Sequence, residues 1–409
     1  STGQDNTLLG YRAGYSSTTC VNNIAIGTNS LFTNIDGDKN ISIGVSALYT
    51  FEADTDGHGS NVAMGNTAGY YVSTGTDNTF IGTRAGYGAS GAHLTGDRNV
   101  CLGADTGTNI QGSSTRNTLL GSFSAGLGAL SGDSNTCIGY QTGYDLTTGE
   151  YNVFVGAQAG EEVTTGLYNT AIGYRALYEN IDGDSNVAIG KYALRYYEAD
   201  SDGEGENVAV GTDAGEFVST GEDNTFVGTR AAQGVTDAKL TGDDNTCIGY
   251  QSGILLQGAA NNNTLIGSNA GSAITTANSN VAIGTGAGNA MSTTSRTVLI
   301  GREAGYSINS TDADSTIAIG YQSLKSLTDG IDNLAIGRDT GENVTTGNYN
   351  VYIGAAAGFG DAAAPTTGSN NIAIGYAAGN VLQGTAASNV LIGSSAGAAF
   401  TTAEENICI

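Results

Sequence analysis

Along this chain the hydrophobic and polar positions recur in one phrase. It is an Asn, three residues of which the last is aliphatic, a Gly, and a small residue three places later. "NTAIGYRALYENIDGDS" runs from Asn169, and "NVAIGKYAL" restarts the phrase at Asn186. The phrase begins at 23 positions, from Asn6 and Asn23 to Asn389 and Asn406, spaced 17 to 21 residues apart. A unit this short cannot bury an apolar face alone, so the period predicts a solenoid. The β-branched run before each Gly predicts a three-residue strand closed by a corner. A second apolar position eleven or twelve places in (Val72, Leu146, Ile181, Val344) predicts a second short strand in each coil. The expected fold is an all-β parallel β-solenoid, or β-roll, of about 22 coils of 17–21 residues. At about 4.8 Å per coil such a rod is about 100 Å long.

The start is Asn at 21 of the 23 positions, with Thr297 and Thr316 as the exceptions, and the corner is Gly in all 22 complete units. Asn23, Asn40, Asn169 and Asn186 are therefore expected to form a ladder of side-chain amides along the axis and to tolerate left-handed backbone. Gly27, Gly44, Gly173 and Gly190 belong to the same structural ladder.

The middle residue of each strand alternates away from its two neighbours and should be polar if it faces water. It is instead apolar in most units. A strand apolar on both faces is covered on both faces. One face suits the solenoid interior, and the other predicts a second chain. Phe80, Cys101, Leu119, Phe154, Phe226, Leu265 and Tyr352 are the residues expected to face a homotrimer axis; an unseen partner protein or a wide interior is the rival explanation.

"NVAIG" followed by a small residue and "AG" or "AL" resembles the head repeats of trimeric autotransporter adhesins. It is similar also to the Gly/Asn-rich "NTAIGYxAL" arrays of phage tail-fibre-like proteins. The resemblance covers essentially the whole chain and implies a trimer of left-handed β-rolls forming a rigid rod on a cell or virion surface. Adhesin heads use shorter coils than the 17 to 21 residues found here.

A higher-order repeat overlies the short one. Blocks of eight coils span about 23–168 and 169–315, and an incomplete third spans 316–409, all within one solenoid domain over 1–409. "EADTDGHGSNVAMG" in the first parallels "EADSDGEGENVAVG" in the second, and the third lacks this loop. Glu52, Asp54 and Asp56, with Glu198, Asp200 and Asp202, place alternating carboxylates before a Gly, part of a calcium-loop pattern. Calcium at these residues stands beside the plainer alternative, a solvated acidic loop that aids solubility; no other cofactor is expected.

The remaining chemistry narrows the function classes. Fourteen Lys and Arg stand against 39 Asp and Glu, a formal charge of −25, which opposes nucleic acid and anionic lipid as partners. No apolar run approaches membrane-spanning length, so membrane insertion is not expected. Cys101, Cys137, Cys247 and Cys408 occupy the mid-strand position that other coils fill with Ala, Leu or Phe, which marks them as small hydrophobes. His58 and His93 are the only histidines, and no P-loop motif occurs, so an enzyme is not expected. Tyrosines just after the corner Gly (Tyr11, Tyr140, Tyr174, Tyr250, Tyr321, Tyr376) either stack on sugars or cover strand edges.

The expected function is a structural segment of a trimeric surface fibre, of a phage tail or a bacterial adhesin, that is extracellular and binds a host-surface receptor or glycan with the avidity of three identical faces. The alternative is a self-assembling extracellular filament, which the opening "STGQDNTLLG" and the mid-coil ending "NICI" would also suit. An ice-binding solenoid, suggested by recurring "TTG" and "STG", is a weaker third, because the Thr-bearing segments vary in length.

Overall fold

A computed structural model describes residues 3–53, 58–199, 204–310 and 313–409. The chain is a parallel β-solenoid of about 23 coils, with no α-helix among the described residues. It divides into two compact units, Ser1–Glu206 and Asn207–Ile409. The first carries strands β1 (Thr7–Leu9) to β11 (Val187–Ile189), the second β12 (Val208–Val210) to β23 (Ile407–Cys408). Within each unit successive strands pair in parallel with no register shift, as in Ala63↔Phe80↔Cys101↔Leu119 and Phe226↔Cys247↔Leu265.

The corner Gly residues stack directly on one another. A Cβ at Gly27 would come within 2.5 Å of the Gly44 carbonyl oxygen, and one at Gly173 within 2.6 Å of that of Gly190. Backbone against backbone leaves no room to yield, which is why every complete unit has Gly here.

Above the strand runs the Asn ladder. The Asn40 backbone N–H donates to Asn23 Oδ1 at 2.8 Å, and the Asn40 side-chain Nδ2 donates to the same oxygen at 3.0 Å. Asn186 repeats both bonds onto Asn169 Oδ1, at 2.9 and 3.1 Å. Asn23 Nδ2 also donates across its coil to Gly37 O at 2.9 Å, as Asn169 does to Gly183 O at 2.8 Å. Each amide thus satisfies the coil above and closes its own, which a buried polar group requires. The left-handed backbone lies elsewhere: the residue before each Asn adopts it, as in Asn22 (φ 62°) and Lys39 (φ 58°), and so do positions six and eight of the coil.

Two expectations about the coil are corrected. The second apolar stretch is a turn rather than a strand, tied to its neighbours by isolated bridges such as Val72↔Leu94 and Leu94↔Gly112 and by single backbone hydrogen bonds such as Thr147 N–H to Thr164 O. Ile181, read as its inward anchor, is 39% exposed; Asn180 takes the buried place and holds the turn by bonding both backbone groups of Gly183.

The second correction concerns the strand itself. Phe80, Cys101, Leu119, Phe154, Phe226, Leu265 and Tyr352, expected at a trimer axis, have no accessible surface within the single chain. They fill the coil interior. The reason is width: a coil of this size has room for one strand side chain, and the middle residue of three takes it. The first and third residues point outward.

Interior filling follows a size rule. Where the middle residue is large (Phe80, Phe154, Leu265, Tyr352), the residue eight places after the start is Gly (Gly86, Gly160, Gly271, Gly358), and a Cβ there would strike the middle side chain at 2.1 to 2.8 Å. Where the middle residue is Ala or Ser (Ala25, Ser42, Ala171, Ala188, Ala318), Leu occupies the eighth place in five coils (Leu31, Leu48, Leu177, Leu194, Leu324), and all five Leu are fully buried. Five further coils pair Ala with Gly (Ala63/Gly69, Ala209/Gly215, Ala282/Gly288, Ala335/Gly341, Ala373/Gly379), and there larger side chains of neighbouring coils approach, as Leu48 and Phe80 do at Gly69. The rule therefore runs one way, with Leu at the eighth place only beside a small middle residue.

Candidate functional surfaces

The outward face of the strands is the most unusual surface of the protein. In the first unit the third strand residue runs Leu9, Ile26, Ile43, Met64, Ile81, Leu102, Leu120, Ile138, Val155, Ile172 and Ile189, an unbroken aliphatic column. Val, Ile, Leu or Thr forms the column beside it. These side chains are only partly covered: Leu102 is 39% and Ile172 38% exposed. Eleven rungs at about 4.8 Å, each about 10 Å wide, make a stripe on the order of 500 Å². The second unit repeats the pattern from Val210 through Ile300 to Ile392. A patch of that size is at the upper limit for the surface of a monomer.

Tyr11, Tyr140, Tyr174, Tyr250, Tyr321 and Tyr376 border this stripe just past the Gly corner, and all are exposed. Arg12 and Arg175 lie over the Tyr11 and Tyr174 rings at 5.1 and 5.3 Å.

A different ring ladder, which the sequence reading missed, occupies the ninth place of the coil. Tyr15, Phe32, Tyr49 and Tyr70 stack with centroids 5.0, 5.0 and 4.9 Å apart and planes within 7°. The signal was present as an aromatic residue at one register position in five successive coils, ending at Tyr87.

Of the six carboxylates considered for calcium, Asp54, Asp56, Asp200 and Asp202 lie outside the described residues. Glu198 is exposed, and Glu52 is half-buried with its carboxyl raised first by burial and then by the nearby Asp36 charge, against a lowering hydrogen bond at Ile35. Among the described residues no group of three His, Cys, Asp or Glu is placed to hold a metal ion. His93 packs on the Tyr71 ring at 5.3 Å.

Cys101, Cys137 and Cys247 are fully buried free thiols beneath the strands. Burial pushes the Cys137 thiol up to about 12 and raises the other two as well. A thiol so far from ionisation is neither nucleophile nor metal ligand.

No protein-family model matches the chain, and no curated protein sequence matches it.

Proposed function

We propose that the chain is a structural segment of a trimeric surface fibre, carried outside a bacterium or on a virion, which associates with two further copies through the outer strand face. The observation that supports this reading is the unbroken aliphatic column on that face, from Ile26 to Ile189 in the first unit and from Val210 to Ile392 in the second. A stripe on the order of 500 Å² in each unit is as large an apolar patch as a monomer's surface ordinarily carries, which favours its being covered by further copies. Parallel in-register strands present the same side chains at every level, so identical copies laid side by side meet at matching heights. The charge of −25 keeps the rest of the surface soluble and repels unspecific contacts.

A fibre segment of this kind holds its host-binding groups at a distance and resists unfolding, and three copies multiply weak contacts with a receptor or glycan. The test places charges on the face. Leu102→Glu combined with Ile138→Glu lowers the solution mass while the β-type circular dichroism persists; an unchanged mass contradicts the proposal.

A further inference from the structure

The ring ladder in the first unit is interrupted, and the interruption is a built site. Tyr87 is its fifth rung, 5.4 Å from Tyr70, and the Tyr71 ring lies 5.2 Å from it in a T-shaped arrangement at 81°. The next two rungs are Thr108 and Gly126, and Tyr144 supplies a ring again on the third. Stacked rings hide one another's faces, so the unbroken part of the ladder offers a ligand only ring edges. At the break the rung after Tyr87 is the small Thr108, and both residues line the opening that results.

The opening is a notch of about 330 Å³ walled by Tyr87, Phe123 and Tyr144, with Arg84, Thr108 and Asn109 contributing polar atoms. At about 4.8 Å per coil its two ring walls rise from backbone rungs about 14 Å apart. Gly126 seats one wall: a Cβ there would come within 3.1 Å of Tyr144 Cε2. Asn109 is fixed by donating Nδ2 to Leu127 O at 2.8 Å, which leaves its amide oxygen as an acceptor. The Thr108 hydroxyl donates to Gly126 O, and Arg84 is held by Asp105. Arg84 has five N–H donors, more than that pairing consumes.

We infer that this notch binds a pyranose unit of a glycan, its C–H face packed against the aromatic walls and its hydroxyls bonded by Arg84 and Asn109. Flat apolar faces beside a few fixed polar groups are what a sugar ring requires. A proline-rich peptide also uses aromatic grooves. The notch, closed by a ring at each end, spans only about four extended residues at about 3.3 Å each, which favours the compact sugar.

The molecule contains its own comparison. In the duplicated block the equivalent positions are Gln233, Ile254, Ser272 and Asn289 in place of Tyr87, Thr108, Gly126 and Tyr144, while Arg230 matches Arg84. The walls are therefore particular to the first block rather than a by-product of the repeat.

The inference stands on the notch and is independent of oligomeric state, since binding is read by sugar signals and association by mass. The experiment is saturation-transfer NMR on the full chain with three probes: lactose, N,N′-diacetylchitobiose and methyl α-rhamnoside. At least one probe should receive saturation at its ring C–H protons. Tyr144→Ala should weaken that binding at least tenfold, and Tyr144→Phe should retain it. Thr108→Tyr should abolish it by extending the ladder one rung into the notch, a change that adds stacking instead of removing it. Tyr168→Ala, in the separate Tyr151–Tyr168 stack, should leave it unchanged. No transfer from any of the three probes overturns the inference, as does transfer that survives both Tyr144→Ala and Thr108→Tyr, or a response to a proline hexapeptide alone.

Discussion

The Phe80 ring lies so close to Gly86 that a Cβ on the glycine would come within 2.1 Å of Phe80 Cδ1. In the coil of Asn169 the same two places hold Ala171 and Leu177, both fully buried. Large beside Gly and small beside Leu are two fillings of the coil interior, and a third, Ala beside Gly as in Ala63 and Gly69, leans on larger side chains from the coils next to it.

This exchange predicts the outcome of a swap. Phe80→Ala alone should cost about 3–5 kcal/mol, the usual result of emptying an aromatic site. Gly86→Leu alone should be destabilising by overpacking. The double variant should recover most of the loss, because Leu48 and Leu177 show that Leu adopts the left-handed backbone at this place, with φ of 45° and 51°. Denaturant unfolding of the three variants reads the coupling; strict additivity would contradict the size rule.

The Asn ladder makes a second prediction. Asn135 Oδ1 accepts from the backbone N–H and the side chain of Asn152, each at 3.1 Å, and its Nδ2 donates to Gly149 O at 2.8 Å. Asn135→Ala should strand these buried groups at about 1–3 kcal/mol each. Asn135→Thr should cost less, since Thr297 bonds Asn280 Oδ1 through its hydroxyl at 2.8 Å and its N–H at 3.1 Å. Thermal melts rank the variants, and equal losses for Ala and Thr would refute the ladder's role.

How much of this was legible follows from particular residues. The period, the strand and the Gly corner were readable, because Asn-x-apolar-Ile-Gly leaves no other register. The facing of the strand was not, because both faces are apolar and alternation alone does not say which is inside. Pairing Phe80 with Gly86 and Ala171 with Leu177 would have decided it, since only residues sharing one interior need to trade size. The notch was hidden for a related reason: Tyr87, Thr108, Gly126 and Tyr144 are distant in sequence and meet only when the coils are stacked.

Acidity should strengthen the fold before it weakens it. Burial raises the carboxyls of Glu52, Asp145, Glu161, Glu162 and Glu342, with repulsion from Glu179 and Asp145 adding to Glu162. A raised folded-state value means the folded protein binds protons more tightly. The stability these groups contribute is therefore present below their unfolded values and lost as pH rises through the folded ones. Glu303 has the opposite sign: hydrogen bonds from Gln322 and then Lys325 hold it at about 2, so its contribution is lost as pH falls toward that value. Calorimetry should show Tm rising from pH 8 to about 5 and falling in stronger acid. A steady fall from pH 8 to 5 would contradict this sign.

Thiol chemistry reports the strand facing independently. Cys408 is half-exposed, whereas Cys101, Cys137 and Cys247 lie within the coils. Iodoacetamide at pH 8 should modify Cys408 in the native protein and reach the other four, buried Cys20 included, only after denaturation. Rapid native labelling of Cys137 would place the middle residue outside.

The central claim, a solenoid that associates through its outer aliphatic column, is tested most directly by the mass of the unaltered 409-residue chain in solution, from light scattering after size exclusion. The account predicts three times the 41.1 kDa of one chain. A mass of 41.1 kDa across the concentrations tested would contradict it and leave the column from Ile26 to Ile189 bare.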